Sequence, residues 1–434
     1  MAKYDGVVLW LLAEGRRITD GTVMVTELAA RLVEAGLPLA RLSLNLRTLH
    51  PQVLATAYVW KRDAGCAQQI DREHGIQFTD AYLNSPMRAV FEEGRGGRWH
   101  LTGPSANLEF PVLQELKDQG FTDYFIMPLS FGNGALCGST WATDDPDGFS
   151  DEDIAAVHAL KDALSLVLEV QETRRVAATL LDTYLGRATG GRVLSGQVKR
   201  GDHDSIRAVL WLADLRGFTR LSDTLDRDAL IKLLDGYFEA IAGPVQRHGG
   251  EVLKFMGDGL LAIFPISAGD AEANAVAIPS FAPERRVCDM TAKSASSACA
   301  AALAAAHDAE AAFNQLNAQR RERGEVALRF GLALHIGDVF YGNIGAPDRL
   351  DFTVIGPAVN LVARIEALNK PLGRTMLASA DFARECSTPL IPLGSQALRG
   401  VREPQEIFAV PSAAQPAPGR STLAHRAVGA ALRH

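Results

Sequence analysis

The chain has 434 residues, 47% of them hydrophobic, with 51 Asp and Glu against 44 Lys and Arg, a formal net charge of −7. That length suits two to four domains with substantial cores, and the acidic balance argues against a general nucleic-acid binder. The five cysteines, at 66, 137, 288, 299 and 386, lack metal-ligand or redox spacing, which points to a reducing cytoplasm, and no apolar run is long enough for a membrane span. In chain order, residues 18–35 read as a helix with Val23, Val25, Leu28, Leu32 and Val33 on its apolar face, stopped by Gly36 and Pro38. Residues 41–47 alternate as a half-buried strand, with Leu42, Leu44 and Leu46 inward, and residues 53–61 form a second strand. A helix is expected over 79–93 and a polar loop over 95–107. Residues 124–131 and 135–143 read as a hairpin turned at Gly132-Asn133-Gly134.

Ser150 and Asp153 then make a capping-box pattern. The helix they open carries Ile154, Val157, Leu160, Leu164 and Val167, a near-heptad seam that suggests a dimerising stalk running past Glu172. The first 170 residues resemble a GAF sensor domain, chiefly through Phe125-Ile-Met-Pro-Leu and Asp147-Gly-Phe-Ser-Asp-Glu-Asp. Such a domain often binds a small molecule; the alternative is a ligand-free dimerisation unit. Cys66, Cys137, His50 and His100 read as packing or surface residues rather than ligands.

Residues 171–204 form a helical connector with several glycines. The second domain, 205–411, opens on an apolar run at 208–213 that suits a buried strand and ends on Asp214. Gly217-Phe218-Thr219 turns the chain into a helix marked by Leu230, Ile231, Leu233, Leu234, Phe238 and Ile241 and ended by Gly249-Gly250. Within 251–264, two strands flank Gly257-Asp258-Gly259, a hairpin with a second carboxylate at its tip. Residues 266–296 show no period and read as a disordered insert. An Ala-rich helix follows over 298–323. Then come a strand at 328–335, its hairpin partner at 339–344, and another strand at 352–355. Pro357 starts a helix that buries Ala358, Leu361, Val362, Ile365 and Leu368, with Asn360 and Arg364 four apart on its exposed face. Strands at 375–378, 397–399 and 406–410 close the domain, and 412–434 read as a disordered tail.

Asp214, Lys254, Asp258, Arg329, Thr353, Asn360 and Arg364 remain at strand and helix ends. Two carboxylates, several cations and a Gly-bearing turn fit a metal–triphosphate site. They do not fit Ser/His/Asp hydrolysis, because His335 and His248 have no placed Ser or Cys partner, and no Gly-x-x-x-x-Gly-Lys phosphate loop is present.

From 206 to 410 the chain resembles the class III nucleotide cyclase catalytic domain. The resemblance runs through Asp214-Leu-Arg-Gly-Phe-Thr, Leu253-Lys-Phe-Met-Gly-Asp-Gly, Leu328-Arg-Phe-Gly-Leu-Ala-Leu-His and Asp351-Phe-Thr-Val-Ile-Gly-Pro-Ala-Val-Asn-Leu-Val-Ala-Arg. It implies an α/β (α+β) protein: a GAF-like antiparallel sheet with helices, a helical linker, and a ferredoxin-like cyclase domain. It also implies roles. Asp214 and Asp258, with the Leu215 carbonyl, hold two Mg²⁺ or Mn²⁺ ions. Gly217, Phe218 and Thr219 cradle phosphates, and Arg329 faces the terminal phosphates, with Arg399 a further candidate. Lys254 and Thr353 read the purine, Asn360 orients the ribose, and Arg364 stabilises the transition state. The implied reaction is attack of the ribose 3′-hydroxyl of ATP on the α-phosphorus, giving cyclic AMP and pyrophosphate.

A Lys donor suits adenine N1 and a Thr hydroxyl can accept from the adenine amino group. Guanylate-selective relatives usually carry an acid at the Lys254 position, whereas many adenylate cyclases carry Asp at the Thr353 position. Metal and ribose residues come from different subunits in this family, so the resemblance implies a homodimer with two sites, regulated through the N-terminal domain. Guanylate cyclisation and an inactive dimeric scaffold are the alternatives.

Overall fold

The computed structural model describes residues 4–201, 203–266 and 294–412. The chain divides into two compact units between Gly196 and Gln197. In the first, α1 (Asp5–Ala13) and α2 (Gly21–Glu34) precede β1 (Arg41–Arg47), β2 (Val53–Lys61) and β3 (Ala67–Glu73). After α3 (Asp80–Leu83) and α4 (Pro86–Glu93) come β4 (Gly97–His100), α5 (Pro111–Asp118) and the hairpin β5 (Asp123–Ser130) and β6 (Leu136–Thr143). Helices α6 (Asp151–Ala159), α7 (Lys161–Leu185) and α8 (Arg187–Leu194) complete the unit. The six strands form one sheet in the order β3-β2-β1-β6-β5-β4, with every neighbouring pair antiparallel.

Both faces of that sheet are covered. Leu42, Leu44, Trp60, Phe125 and Trp141 pack under α1, α2 and α7, while Tyr124, Ile126 and Ala142 pack under α4 and α5. The expected alternation in β1 holds, yet Ser43 is also buried because its face is covered too. Helix α2 buries Met24, Val25, Leu28, Ala29 and Leu32, and Val23 and Val33 point outward instead.

Several expectations need correction. The seam residues Val157, Leu160, Leu164 and Val167 are buried against this unit's own sheet, so they do not supply a dimer stripe. The helix that carries them breaks at Leu160, between α6 and α7. The single helix expected over 79–93 is two, because Pro86 starts a new one. Strands β3 and β4 were not expected; β3 is an edge strand of sequence Ala-Gln-Gln-Ile-Asp-Arg-Glu, with no apolar alternation to signal it.

The second unit contains β7 (His203–Leu215), α9 (Phe218–Thr224), α10 (Arg227–Arg247), β8 (Glu251–Met256) and β9 (Gly259–Ile266). Then follow α11 (Ala295–Glu322), β10 (Phe330–Ala346), β11 (Arg349–Ile355), α12 (Pro357–Ala367), β12 (Met376–Ser379), α13 (Ala380–Glu385), β13 (Ile391–Gln396) and β14 (Gln405–Ala409). The mixed sheet runs β13-β14-β12-β10-β7-β9-β8, with β11 added on β10 and only β10 and β12 parallel. The insert expected over 266–296 lies outside the described residues except at its edges, where Ile266 ends β9 and the Ser294 side chain caps α11. The expected tail lies outside them from residue 413.

Strand β7 is central, which explains its continuous apolar run. Val209, Trp211, Ala213 and Leu215 face α10 and α11, while Ala208, Leu210 and Leu212 face α12. Fully burying one such large side chain contributes roughly 1.5–3 kcal/mol. Residues 339–344 are not a hairpin partner of 328–335; both belong to the single strand β10, paired with β7 from Phe330 to Gly342. Gly337 looks like a turn in sequence but serves close packing, since a Cβ there would sit 2.7 Å from the Ala358 Cβ. The strand expected at 397–399 is displaced to β13, another edge strand.

Candidate active site

Asp214 lies one residue from the end of β7, opposite Gly259 on β9 and Gly331 on β10. The β8–β9 hairpin turns on Gly257 and Asp258, with Gly257 at φ 66°. The Leu215 N–H donates to the Asp258 carbonyl at 3.3 Å, so the hairpin tip docks on the end of β7 beside Asp214. The next N–H, of Arg216, donates across the other edge to the Arg329 carbonyl at 2.7 Å. Successive residues alternate sides along a strand, so the Leu215 carbonyl faces the Asp258 turn. Gly217, at φ 77°, then starts α9 at Phe218, placing Gly217, Phe218 and Thr219 immediately after the acid.

Burial raises the Asp214 carboxyl above its usual range, and Asp258 raises it further against the pull of Arg216. Burial likewise raises Asp258. Two half-buried acids that repel each other, beside an inward carbonyl, are an all-oxygen donor set suited to a hard divalent cation. Among the described residues no group of three or more His, Cys, Asp or Glu forms a metal cluster, so the acid pair stands by itself.

A second group lies on β8 and β11. The Lys254 ammonium donates to Asp351 at 3.1 Å. Thr353, two residues on and therefore on the same face of β11, is 3% exposed, and its hydroxyl has no partner among the described residues. Asn360 and Arg364 form a third group on α12. Their helix turns its other side, through Glu366, toward Arg216; at ~100° per residue, Arg364 and Asn360 point roughly 160° and 120° away. Arg364 instead lies against Gly400, where a Cβ would be 3.4 Å from its Nη2, and exposed Arg399 is the next residue back. Within one chain, then, Asp214, Leu215 and Asp258 converge, Lys254 and Thr353 share a second region, and Asn360 and Arg364 face elsewhere.

Similar proteins are known. The family model described as adenylate and guanylate cyclase catalytic domain matches residues 200–381. Those residues are a cyclase catalytic domain. Adenylate cyclase 1 of Rhizobium meliloti is 27% identical over 199 residues, 45% of this chain and 26% of that protein. An adenylate cyclase of Anabaena cylindrica is 25% identical over 193 residues, 44% of this chain and 33% of that protein. An uncharacterised Mycobacterium tuberculosis protein is 30% identical over 252 residues, 57% of this chain and 40% of that protein. The chain thus spans well under two thirds of the length of these relatives. Among solved structures, the adenylyl cyclase CyaB from P. aeruginosa is similar at TM-score 0.40 and 25% identity, over 49% of this chain and 97% of that one.

The cyclase domain holds polar partners that the sequence did not signal. His335 does have a serine: its Nδ1 lies 2.8 Å from the Ser379 hydroxyl, with Asp381 at 4.0 Å from the same nitrogen. Both contacts use one ring nitrogen, and the Ser379 oxygen accepts the Phe382 N–H at 3.2 Å to cap α13. The cluster is a buried helix cap, not a relay for a nucleophile. His248 contacts Asp308 at 2.9 Å.

Asp351, Arg216, Glu366 and Tyr237 were also missed. Asp351 had a signal in its two-residue spacing from Thr353. Glu366 had one too: Ala358, Val362 and Glu366 are spaced by four, which puts an acid on an apolar stripe. Tyr237, buried on α10, has a hydroxyl without a partner among the described residues. Burial raises its pKa, followed by Asp214, Asp258 and Glu366, which locates the ring near the acids. Cys66, Cys137, Cys299 and Cys386 are free thiols, and burial pushes Cys137 and Cys299 up to about 12, away from reactivity at neutral pH. No helix among the described residues is long and apolar enough to cross a membrane.

Proposed function

We propose that this protein cyclises ATP to 3′,5′-cyclic AMP and pyrophosphate at two equivalent sites of a homodimer. The observation that carries the reading is the docking of the Asp258 hairpin beside Asp214, which brings two mutually repelling acids together at the end of β7. Two Mg²⁺ or Mn²⁺ ions held by Asp214, Asp258 and the Leu215 carbonyl supply Lewis-acid polarisation and offset phosphate charge. Gly217, Phe218 and Thr219 offer backbone N–H groups to the phosphates, with Arg329 beside them. Lys254 donates to the base and the buried Thr353 hydroxyl, without a partner now, gains one from it. Asn360 orients the ribose. Arg364 places fixed positive charge where the transition state gathers negative charge.

The different faces of α12 that carry Glu366 and Asn360 with Arg364 support the dimer. In this reading a second copy supplies Asn360 and Arg364 to the acids of the first. The guanylate alternative rests on Asp351. A Lys donor beside a carboxylate acceptor also matches guanine, with O6 as acceptor and N1–H and the 2-amino group as donors.

Residues 1–170 are proposed as a GAF-like sensor, supported by the antiparallel sheet with its hairpin and closing helix. A cavity of about 450 Å³ between it and the start of the connector, lined by Asp20, Tyr58, Gln69, Gln171, Glu172 and Arg175, offers room for a small polar ligand. Domains 205–411 and 171–204 serve as the catalytic unit and its connector. Measuring cyclic-nucleotide production by purified protein with Mn²⁺ or Mg²⁺, on ATP and on GTP, beside Asp214→Ala, tests the reading. Turnover of ATP that Asp214→Ala abolishes is expected; equal turnover by the variant defeats the site, and preference for GTP defeats the base choice.

A further inference from the structure

Arg216 is the cation closest in sequence to Asp214, and its charge acts on both proposed carboxylate ligands. It follows Asp214 by two residues in line with β7, so both side chains leave the sheet on the α12 side. Neighbours on one strand face are about 6.5–7 Å apart, well within the reach of an arginine. Yet Arg216 does not pair with Asp214 or Asp258. Its guanidinium contacts the Glu366 carboxylate and donates from Nη2 to the Glu366 carbonyl at 3.0 Å. Glu366 is 7% exposed, an unusual position for an acid unless it is partnered. Space for the pair is built in. Opposite Asp214 stands Gly331, and a Cβ at that position would overlap the Arg216 Nη2 and the Glu366 Oε1. Asn369, 1% exposed, braces the end of α12 by donating to the Leu332 carbonyl at 3.0 Å.

We propose that Glu366 is a positioning residue that holds the Arg216 guanidinium off the Asp214–Asp258 pair and so keeps those carboxylates open to a divalent cation. The inference rests on the metal reading above and deepens it. Without the Glu366 charge, Arg216 is left in a low-dielectric site with the two acids as its nearest counter-charges. It then swings onto them and competes with the incoming cation. The electrostatics agree in direction: Arg216 already pulls down both acids against the effect of burial. Because Glu366 belongs to α12, the same contact fixes the helix whose other side carries Asn360 and Arg364.

The test is Mn²⁺ binding to the full-length protein without nucleotide, followed by titration calorimetry, with melting in EDTA to check folding. Glu366→Gln is expected to weaken Mn²⁺ binding at least tenfold. The double variant Arg216→Gln with Glu366→Gln, which lacks the competing cation, is expected to return to within about threefold of wild type. Arg216→Gln alone, the variant to use should Glu366→Gln not fold, is expected to bind no more weakly than wild type. Wild-type affinity in Glu366→Gln, or a double variant as weak as the single one, overturns the tether. So does loss of Mn²⁺ binding in Arg216→Gln. Asp214→Ala separates the two levels: if it binds Mn²⁺ as wild type does, the metal reading itself fails and the tether with it.

Discussion

The two units bury acids in opposite ways. In the first, Asp123 is 1% exposed and partnered: Arg98 donates to its Oδ2 from Nη2 at 2.7 Å and Nε at 3.1 Å, and the Phe149 N–H donates to the same oxygen at 3.0 Å. In the second, Asp214 and Asp258 are half-buried, repel each other and are raised by burial. The first arrangement holds a fold together, because the buried charge is met by a guanidinium and a backbone N–H. The second leaves a deficit at the end of a rigid strand, and a deficit in a stable scaffold is where a ligand contributes. Thr353 repeats the contrast with Ser43 and Ser139: Asn45 donates to the Ser43 hydroxyl and Ser139 donates to the Met127 carbonyl, whereas Thr353 lacks a partner.

The contrast can be broken at four places. The largest effect is expected for Asp123→Ala, which removes a buried carboxylate from the half-buried Arg98 and should cost about 3–5 kcal/mol. Four of the five tryptophans, Trp10, Trp60, Trp99 and Trp141, lie in the first unit, so denaturant melts followed by fluorescence report on it. A change below 1 kcal/mol would show that Asp123 is not structural. Next, Asp214→Ala should lower cyclisation by at least about 10²–10³, the cost of losing one electrostatic contact at a reacting phosphate, while leaving the melting of the second unit within about 1 kcal/mol. If stability falls and activity does not, Asp214 belongs with Asp123.

His335 sharpens the comparison inside the second unit, as a buried group whose Nδ1 is partnered by Ser379. Burial lowers its pKa from 6.5 to about 4. The unfolded chain therefore binds a proton between those values that the folded chain does not, so stability falls as pH drops from 6.5 toward 4. The loss should be about 3 kcal/mol at pH 4, and His335→Gln should remove most of that slope in acid melts. The smallest effect is expected for Thr353→Val. If the hydroxyl only fills space, the change leaves stability and kinetics alone. If it reads the base, KM for ATP rises about tenfold with stability unchanged or improved, since an unpartnered buried hydroxyl is costly.

Much of the candidate site is legible in the sequence as local pattern. Asp214 ends an apolar run, Asp258 sits between glycines, and Asn360 and Arg364 share a helix face; each is a local pattern, and periodicity reports local patterns faithfully. What it cannot report is the partner. The stripe Val157, Leu160, Leu164 and Val167 reads the same whether it packs on a second helix or, as here, on its own sheet. Gly337-Asp338 reads as a turn, and only pairing with Ala208 and Arg207 shows that β10 continues through it. Edge strands β3 and β13 lack the apolar alternation that covered strands carry.

By itself, then, the order of residues determined where the apolar runs and stripes lie, where a strand ends in an acid, and which chemistry such acids suit. The tertiary structure alone decided which acids are satisfied and which are left in deficit. Arg216 and Glu366 are 150 positions apart, and Lys254 meets Asp351 across 97. Backbone geometry sets spacing within an element, but charges from distant elements meet only when the sheet brings β7, β10 and α12 into register.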